Sequence, residues 1–242
     1  MANLLIVDAS SALCSVSLIS AAGVQDLTER QPRRHAQRLL PMIDEVLVAA
    51  AVDKSALDGL AFSRGPGSFT GIRIAVSVIQ GIALGLNVPV YGFSTLQLLA
   101  QQALTQTTAG RVVTVLDAHM GEVFWAVYER NGPLCRLLGT EQVSQPRHCA
   151  EQLQALLQTR QLDPNDCVMA GNGVSLLAAL DDNPVALALI EGIEPLSHYA
   201  ADQVMAAWQQ GEFAGIEDFP PVYLRDSVAW KKLDEQPSLL KR

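Results

Sequence analysis

The stretch from Arg64 to Gly85, RGPGSFTGIRIAVSVIQGIALG, restricts the fold more than any other part of the chain. It follows an apolar run, Leu57 to Ser63, that reads as a strand. It then turns through Gly65, Pro66 and Gly67 and enters a long apolar helix. Glycine tolerates positive φ and proline fixes its own, so these residues specify a sharp turn. Ser68 is placed to cap the helix, because its hydroxyl can accept an orphan N–H of the first turn. Strand, turn and buried helix in succession belong to an α/β architecture.

The helix carries a run of small residues: Ser77, Gly81 and Gly85 recur every four positions, and Gly71 and Ala75 do the same. A glycine inside a helix costs roughly 1 kcal/mol against alanine. Close approach of another backbone offsets such a cost. The helix is therefore expected to pack on its own sheet on one side and against a second helix on the other, in the chain's core or on a partner. A glycine turn at a helix N-terminus can also bind anions. No Lys-Ser/Thr follows the glycines and the GxGxxG spacing is missing, so neither phosphate-binding fingerprint is present.

Composition sets outer bounds. A chain of 242 residues can bury a sizeable core as one large or two small domains. A formal net charge of −8 argues against a surface that grips nucleic acid throughout. The apolar runs are broken by polar residues, so no membrane span is read, and the opening MANLLIVDAS lacks the basic region of a secretory signal. Cys14, Cys135, Cys149 and Cys167 form no CxxC pair and are expected to be reduced, buried thiols of a cytoplasmic protein.

Taken in order, Leu4–Val7, Cys14–Ile19 and Val24–Glu29 read as a three-strand meander. Asp8 ends the first strand beside Ser10 and Ser11; it either makes an Asx turn or orients a phosphate or a metal-bound water. Arg30, Arg33, Arg34 and Arg38 cluster around His35, as a solvated helix start or as a basic patch for phosphates or an acidic partner. From His35 to Ala50 the pattern is helical, with Leu39, Ile43 and Val46 on one face and Pro41 inside the run. Val88–Tyr91 reads as a strand, and Ser94 caps a helix through Leu104. TQTTAG, from Thr105 to Gly110, is the best boundary between two units.

The second half opens with strands again. Val112–Leu116 and Val123–Tyr128 flank a hairpin turn, and Leu134–Val143 adds a third strand. Helices over 148–158, 174–180 and 200–210, a strand over 167–170 and an extended Val222–Arg225 follow, and Asp234–Arg242 is expected to be disordered. Two halves that each open on a meander and then alternate helix and strand read as a duplication. The expected division is residues 1–105, residues 106–232 and a tail from 233 to 242.

Catalytic signatures are missing. His35, His119, His148 and His198 are too far apart for a helix-borne metal pair, and there is no HExxH or GxSxG. Asp117, His119 and Glu122 could be drawn as an acid–base group, or simply as the polar tip of a hairpin.

LLIVDASSALCSVSL, RRHAQRLLPMI, RGPGSFTGIRIAVSVIQGIALG, DAHMGEVFWAVY and PVYLRDSVAWKK together closely resemble the bacterial TsaB family, formerly called YeaZ, over nearly the whole chain. The resemblance implies a two-lobed actin-like ATPase (ribonuclease H-like) fold. It implies a non-catalytic scaffold needed to form N6-threonylcarbamoyladenosine at position 37 of tRNAs reading codons that begin with A. The partners it implies are the catalytic subunit TsaD, the ATPase TsaE, and a second copy of the chain, with tRNA met only through the complex and TsaC supplying the threonylcarbamoyl-adenylate. ATP or ADP and a metal are then expected in TsaD or at the joint interface, and none in the isolated chain. YGFSTLQLLA, from Tyr91 to Ala100, stands where TsaD carries its histidine metal motif and holds no histidine. The implied partner interface comprises His35, Leu39, Ile43, Val46, Phe69, Arg73, Ser77, Gln80 and Gly81. Asp8, Gly65, Gly67 and Ser68 remain as candidates for a degenerate nucleotide site. His119 departs from the basic Arg or Lys more frequent in that family. The alternative reading is a degenerate actin-like ATPase or an M22-type glycoprotease-like enzyme acting alone.

Overall fold

An uninterrupted apolar run has to be buried on both faces, and the first one forms a central strand, β1 (Leu4–Asp8), every residue of which is buried. The computed structural model describes residues 1–30 and 34–225. β1 pairs antiparallel with β2 (Leu13–Ser20), which pairs antiparallel with β3 (Gly23–Arg30). On its other side β1 runs parallel to β4 (Gly59–Ser63), and β4 runs parallel to β5 (Val90–Phe93). The sheet order is therefore β3-β2-β1-β4-β5. Parallel neighbours need crossovers. Helix α1 (His35–Ala49) precedes β4, and α2 (Phe69–Leu86) joins β4 to β5.

The second sheet repeats the plan. β6 (Arg111–His119), β7 (Glu122–Asn131) and β8 (Leu134–Leu137) form the meander, and β10 (Cys167–Ala170) and β11 (Ala188–Ile190) add in parallel beyond β6. Its order, β11-β10-β6-β7-β8, is the first sheet's order read from the other edge. Both sheets thus have the ribonuclease H-like topology, and together they make the actin-like ATPase fold of two duplicated lobes. The single third strand expected over Leu134–Val143 is two: β8 and a short β9 (Gln142–Ser144) pair separately with β7. Gly139, at a φ of 97°, turns the chain between them.

The layers follow from which faces are apolar. α1 and α2 cover one face of the first sheet, with Leu39, Met42, Ile43, Ala75 and Ile79 set against Leu5, Val7 and Leu60. α4 (Pro146–Thr159) and α5 (Val174–Ala178) cover the outer face of the second, with Cys149, Leu153 and Leu177 against Val113 and Val115. Between the sheets lies α3 (Thr95–Thr105). Its Leu98 joins Leu4, Ile6 and Phe93 of the first sheet, while Leu96 and Leu99 join Val112 and Leu116 of the second. α6 (Ala201–Gln210), late in the chain, returns to the first sheet, where Val204 packs in the same cluster as Leu4 and Ile6. From there the chain continues along that lobe. Ala214 bridges Val90 at the edge of β5, Phe219 packs edge-on against Tyr91, and residues 220–225 run on as a strap without regular secondary structure.

Candidate functional site

In an open α/β sheet, ligands gather at the carboxyl ends of the strands. Here those ends carry Asp8 from β1, Ser63 from β4 and the turn Gly65–Gly67. Asp8 is fully buried and accepts hydrogen bonds from the Ser10 amide (3.2 Å) and the Ser10 hydroxyl (2.8 Å). Burial pushes its carboxyl up to about 6, outweighing the hydroxyls of Ser63 and Ser10 and the charge of His35, which act the other way. The glycine turn is laid directly on the β1–β2 turn. The Ser68 amide donates to the Ser10 carbonyl at 2.7 Å, and a Cβ on Gly71 would stand 1.9 Å from the Ala9 carbonyl oxygen. Only glycine allows that approach. The Ser68 hydroxyl caps α2 by accepting from the Gly71 amide at 3.2 Å. Asp8, Gly65, Gly67 and Ser68 are thus brought together, but Asp8 has no access to solvent, and the Ser68 amide, carbonyl and hydroxyl oxygen all bond within the protein.

Ser94 caps α3 through the amides of Leu96 and Gln97 and also donates to Glu141, which accepts the Tyr128 hydroxyl at 2.6 Å. Glu141 was not singled out by the sequence pattern; it lies in the loop before β9 and reaches across to the start of α3. Among the described residues, no group of three or more His, Cys, Asp or Glu side chains is arranged to hold a metal ion.

The Asp117–His119–Glu122 group is a hairpin tip. Asp117 accepts the His119 amide at 2.7 Å, and Glu122 is gripped by Arg225. The basic cluster is dispersed by pairing: Arg30 forks onto Glu194, and Arg38 binds Glu29 and Glu45. Arg34 is exposed and bonds Gln37, and Arg33 lies outside the described residues.

The paired helices offer a different kind of site. The stripe His35, Leu39, Ile43 and Val46, which the resemblance placed at a partner interface, is 7% exposed at His35 and 2% or less at the others. Leu39, Ile43 and Val46 cover the chain's own sheet and His35 Nε2 lies 3.2 Å from the Leu13 carbonyl oxygen, so these side chains face inward. The open side of α1 instead carries Leu40 (47% exposed) and Val48 (79%). α2 buries only Gly71, Ile72, Ala75, Ile79 and Ala83. Its outer side presents Phe69 (55%), Arg73, Ser77, Gln80, Gly81 and Leu84 (73%). Beyond Gly81 and Gly85 an added Cβ would meet nothing within 4 Å, so the cost of these helical glycines is not offset inside the chain. A shallow groove of about 470 Å³ runs between Ala36 and the first turns of α2, lined by Phe69, Arg73, Ile74 and Ser77. Although polar residues interrupt it, α2 is long and apolar enough to cross a membrane by length and composition, with 28% of it buried. Ile74, Val76, Val78, Ile82 and Leu86 pack half-buried against the first core, which leaves Phe69 and Leu84 as the large apolar side chains that α2 exposes.

The comparisons with known proteins agree in direction. The family model described as tRNA N6-adenosine threonylcarbamoyltransferase (TsaD) matches residues 27–232. The tRNA threonylcarbamoyladenosine biosynthesis protein TsaB of Escherichia coli is 38% identical over 96% of this chain and 98% of its own. The protein of the same name from Haemophilus influenzae is 32% identical over 96% and 97%. Among solved structures, YeaZ from Pseudomonas aeruginosa superposes with a TM-score of 0.82 at 39% identity, covering 93% of this chain and all of that one.

Proposed function

The chain belongs to the TsaB family of tRNA threonylcarbamoyladenosine biosynthesis proteins, and from that premise we propose that it serves the pathway as a non-catalytic subunit that docks on a TsaD-type catalytic partner. The observation that carries this reading is the uncovered face of α1 and α2. Leu40, Val48, Phe69 and Leu84 lie exposed on one pair of helices. Burying each such side chain is worth about 1.5–3 kcal/mol. Gly81 and Gly85 let a second helix pair come close, which is what two uncompensated helical glycines are good for. A second copy of this chain fits the same face, so self-association and partner binding compete for it. A TsaE-type ATPase, and ATP or ADP with its metal, then belong to the assembled complex or to its catalytic subunit, and tRNA is met through the complex. An ATPase or glycoprotease acting alone draws no support from Asp8, whose carboxyl is sealed from solvent.

Co-elution tests the reading. Leu84→Glu places a charge on a side chain that is 73% exposed, so the chain should melt as before. Docking should fail, because a carboxylate buried in an apolar contact is expensive. Leu84→Glu protein that still co-elutes with the TsaD-type subunit would overturn the assignment of the face. In reconstitution with tRNA, threonine, bicarbonate, ATP and the remaining proteins, modified nucleoside should require this chain and fall with the same variant.

A further inference from the structure

The strap Pro220–Arg225 touches both lobes, and its contacts lie at places that matter. The Val222 amide donates to the Arg64 carbonyl at 2.8 Å, at the carboxyl end of β4, and a Cβ on Gly65 would stand 3.0 Å from the Val222 oxygen. The Tyr223 hydroxyl accepts from Arg73 Nε at 3.0 Å, and its ring lies 5.5 Å from that of Phe69. The Arg73 guanidinium stands 3.8 Å over the Phe69 ring and 5.7 Å from the Tyr223 ring. Phe69 and Arg73 also line the groove on the helix face. Two residues on, Arg225 reaches the other lobe. Its Nε donates to Glu122 at 2.8 Å, and its Nη2 reaches Glu122 and donates to the carbonyls of Ala118 (3.1 Å) and His119 (3.3 Å).

The hairpin that Arg225 grips is itself strained. His119 and Met120 both adopt left-handed backbone, with φ of 59° and 57°. Side chains of that size rarely adopt it, and such conformations persist where surroundings over-determine them. The forked, charge-assisted bonds of Arg225 to two carbonyls and a carboxylate at the tip supply that determination.

We infer that Arg225 is a latch that holds the strap across the two lobes and thereby sets Tyr223 against Phe69 and Arg73 at the rim of the docking groove, so that the state of the β6–β7 hairpin governs partner binding on α2. Two residues span no more than about 7 Å, so an Arg225 anchored on the hairpin restricts how far Tyr223 can move from its seat. The coupling rests on the docking reading given above; the latch does not.

Hydrogen exchange on the full chain, alone and with the TsaD-type subunit, tests both parts. In Arg225→Ala the Val222 amide should exchange about tenfold faster than in the unaltered chain. Glu122→Gln keeps the shape and loses the charge, and should give a smaller acceleration in the same segment. Partner affinity should weaken about tenfold in Arg225→Ala, with the complex still formed. Unchanged exchange at Val222 in both variants would overturn the latch. Faster exchange with unchanged affinity would overturn the coupling while the docking face stands, provided Leu84→Glu still abolishes binding. If Leu84→Glu binds normally, the docking reading itself has failed, and the coupling falls with it.

Discussion

Asp8 is where residue chemistry and position pull apart. An aspartate at the end of a first strand beside two serines reads first as a turn former and second as a ligand-orienting group. The structure gives it the turn former's bonds, to the Ser10 amide and hydroxyl, and then buries it completely. Because burial raises its folded-state carboxyl from 3.8 to about 6, the folded chain binds that proton more tightly than the unfolded chain does. Stability from this group is therefore greatest below about pH 4 and is lost as pH rises through 6, on the order of 3 kcal/mol in all. Asp8→Asn removes the penalty. Asparagine can accept from Ser10 as before and offers its amide to the Ser63 hydroxyl, which lacks a partner of good geometry. The variant should melt roughly 5–10 °C above the parent at pH 7.5 and level with it near pH 4. A difference that does not change between those pH values would show that the carboxyl's ionisation is not what burial acts on.

At the scale of elements, the helices were legible and their faces were not. Periodicity placed α1 at His35 and the Ser68 cap placed the start of α2, each where the structure has it. The stripe Leu39, Ile43, Val46 was equally plain, but an apolar stripe says only that something covers it. The chain's own sheet does, and the side it leaves open carries residues outside the stripe, Leu40 and Val48. On α2, which is apolar nearly all round, no pattern could divide the sheet side from the open side. The glycines carry that information indirectly, because a glycine on an open helical surface is a cost to the isolated chain. Gly81→Ala should therefore stabilise the free protein by about 1 kcal/mol. The added methyl should at the same time weaken association with the TsaD-type subunit by holding the helices apart. Opposite signs in thermal melting and in binding are the signature; a variant that gains or loses in both would remove the close-approach argument.

For the whole molecule, the duplication was visible in the repeated meander, yet sequence order understates how the lobes share their cores. A break at TQTTAG suits a chain whose halves fold apart, and composition offers no way to see α3 wedged between both sheets or α6 returning to the first one. Long-range burial of this kind leaves no local mark, since the leucines of α3 look the same whichever sheet they meet. Severed after residue 105, the first lobe would expose Leu96, Leu99, Ala100 and Ala103 on α3, all buried in the second core. It would also lose Ala200 and Val204 from above Leu4, Ile6 and Ala61, together with the hydrogen bonds from Ser197 to Ser15 and Ser17. Lost burial at several large apolar sites, each worth about 1.5–3 kcal/mol, is comparable with the 5–15 kcal/mol that holds a typical domain folded. The fragment 1–105 should accordingly fail to fold alone, and the intact chain should unfold in one calorimetric transition with equal calorimetric and van't Hoff enthalpies. A cooperative melt of the fragment, or two resolved transitions in the whole chain, would mean that each sheet with its own helices is a sufficient core, and that α3 and α6 join units already stable apart.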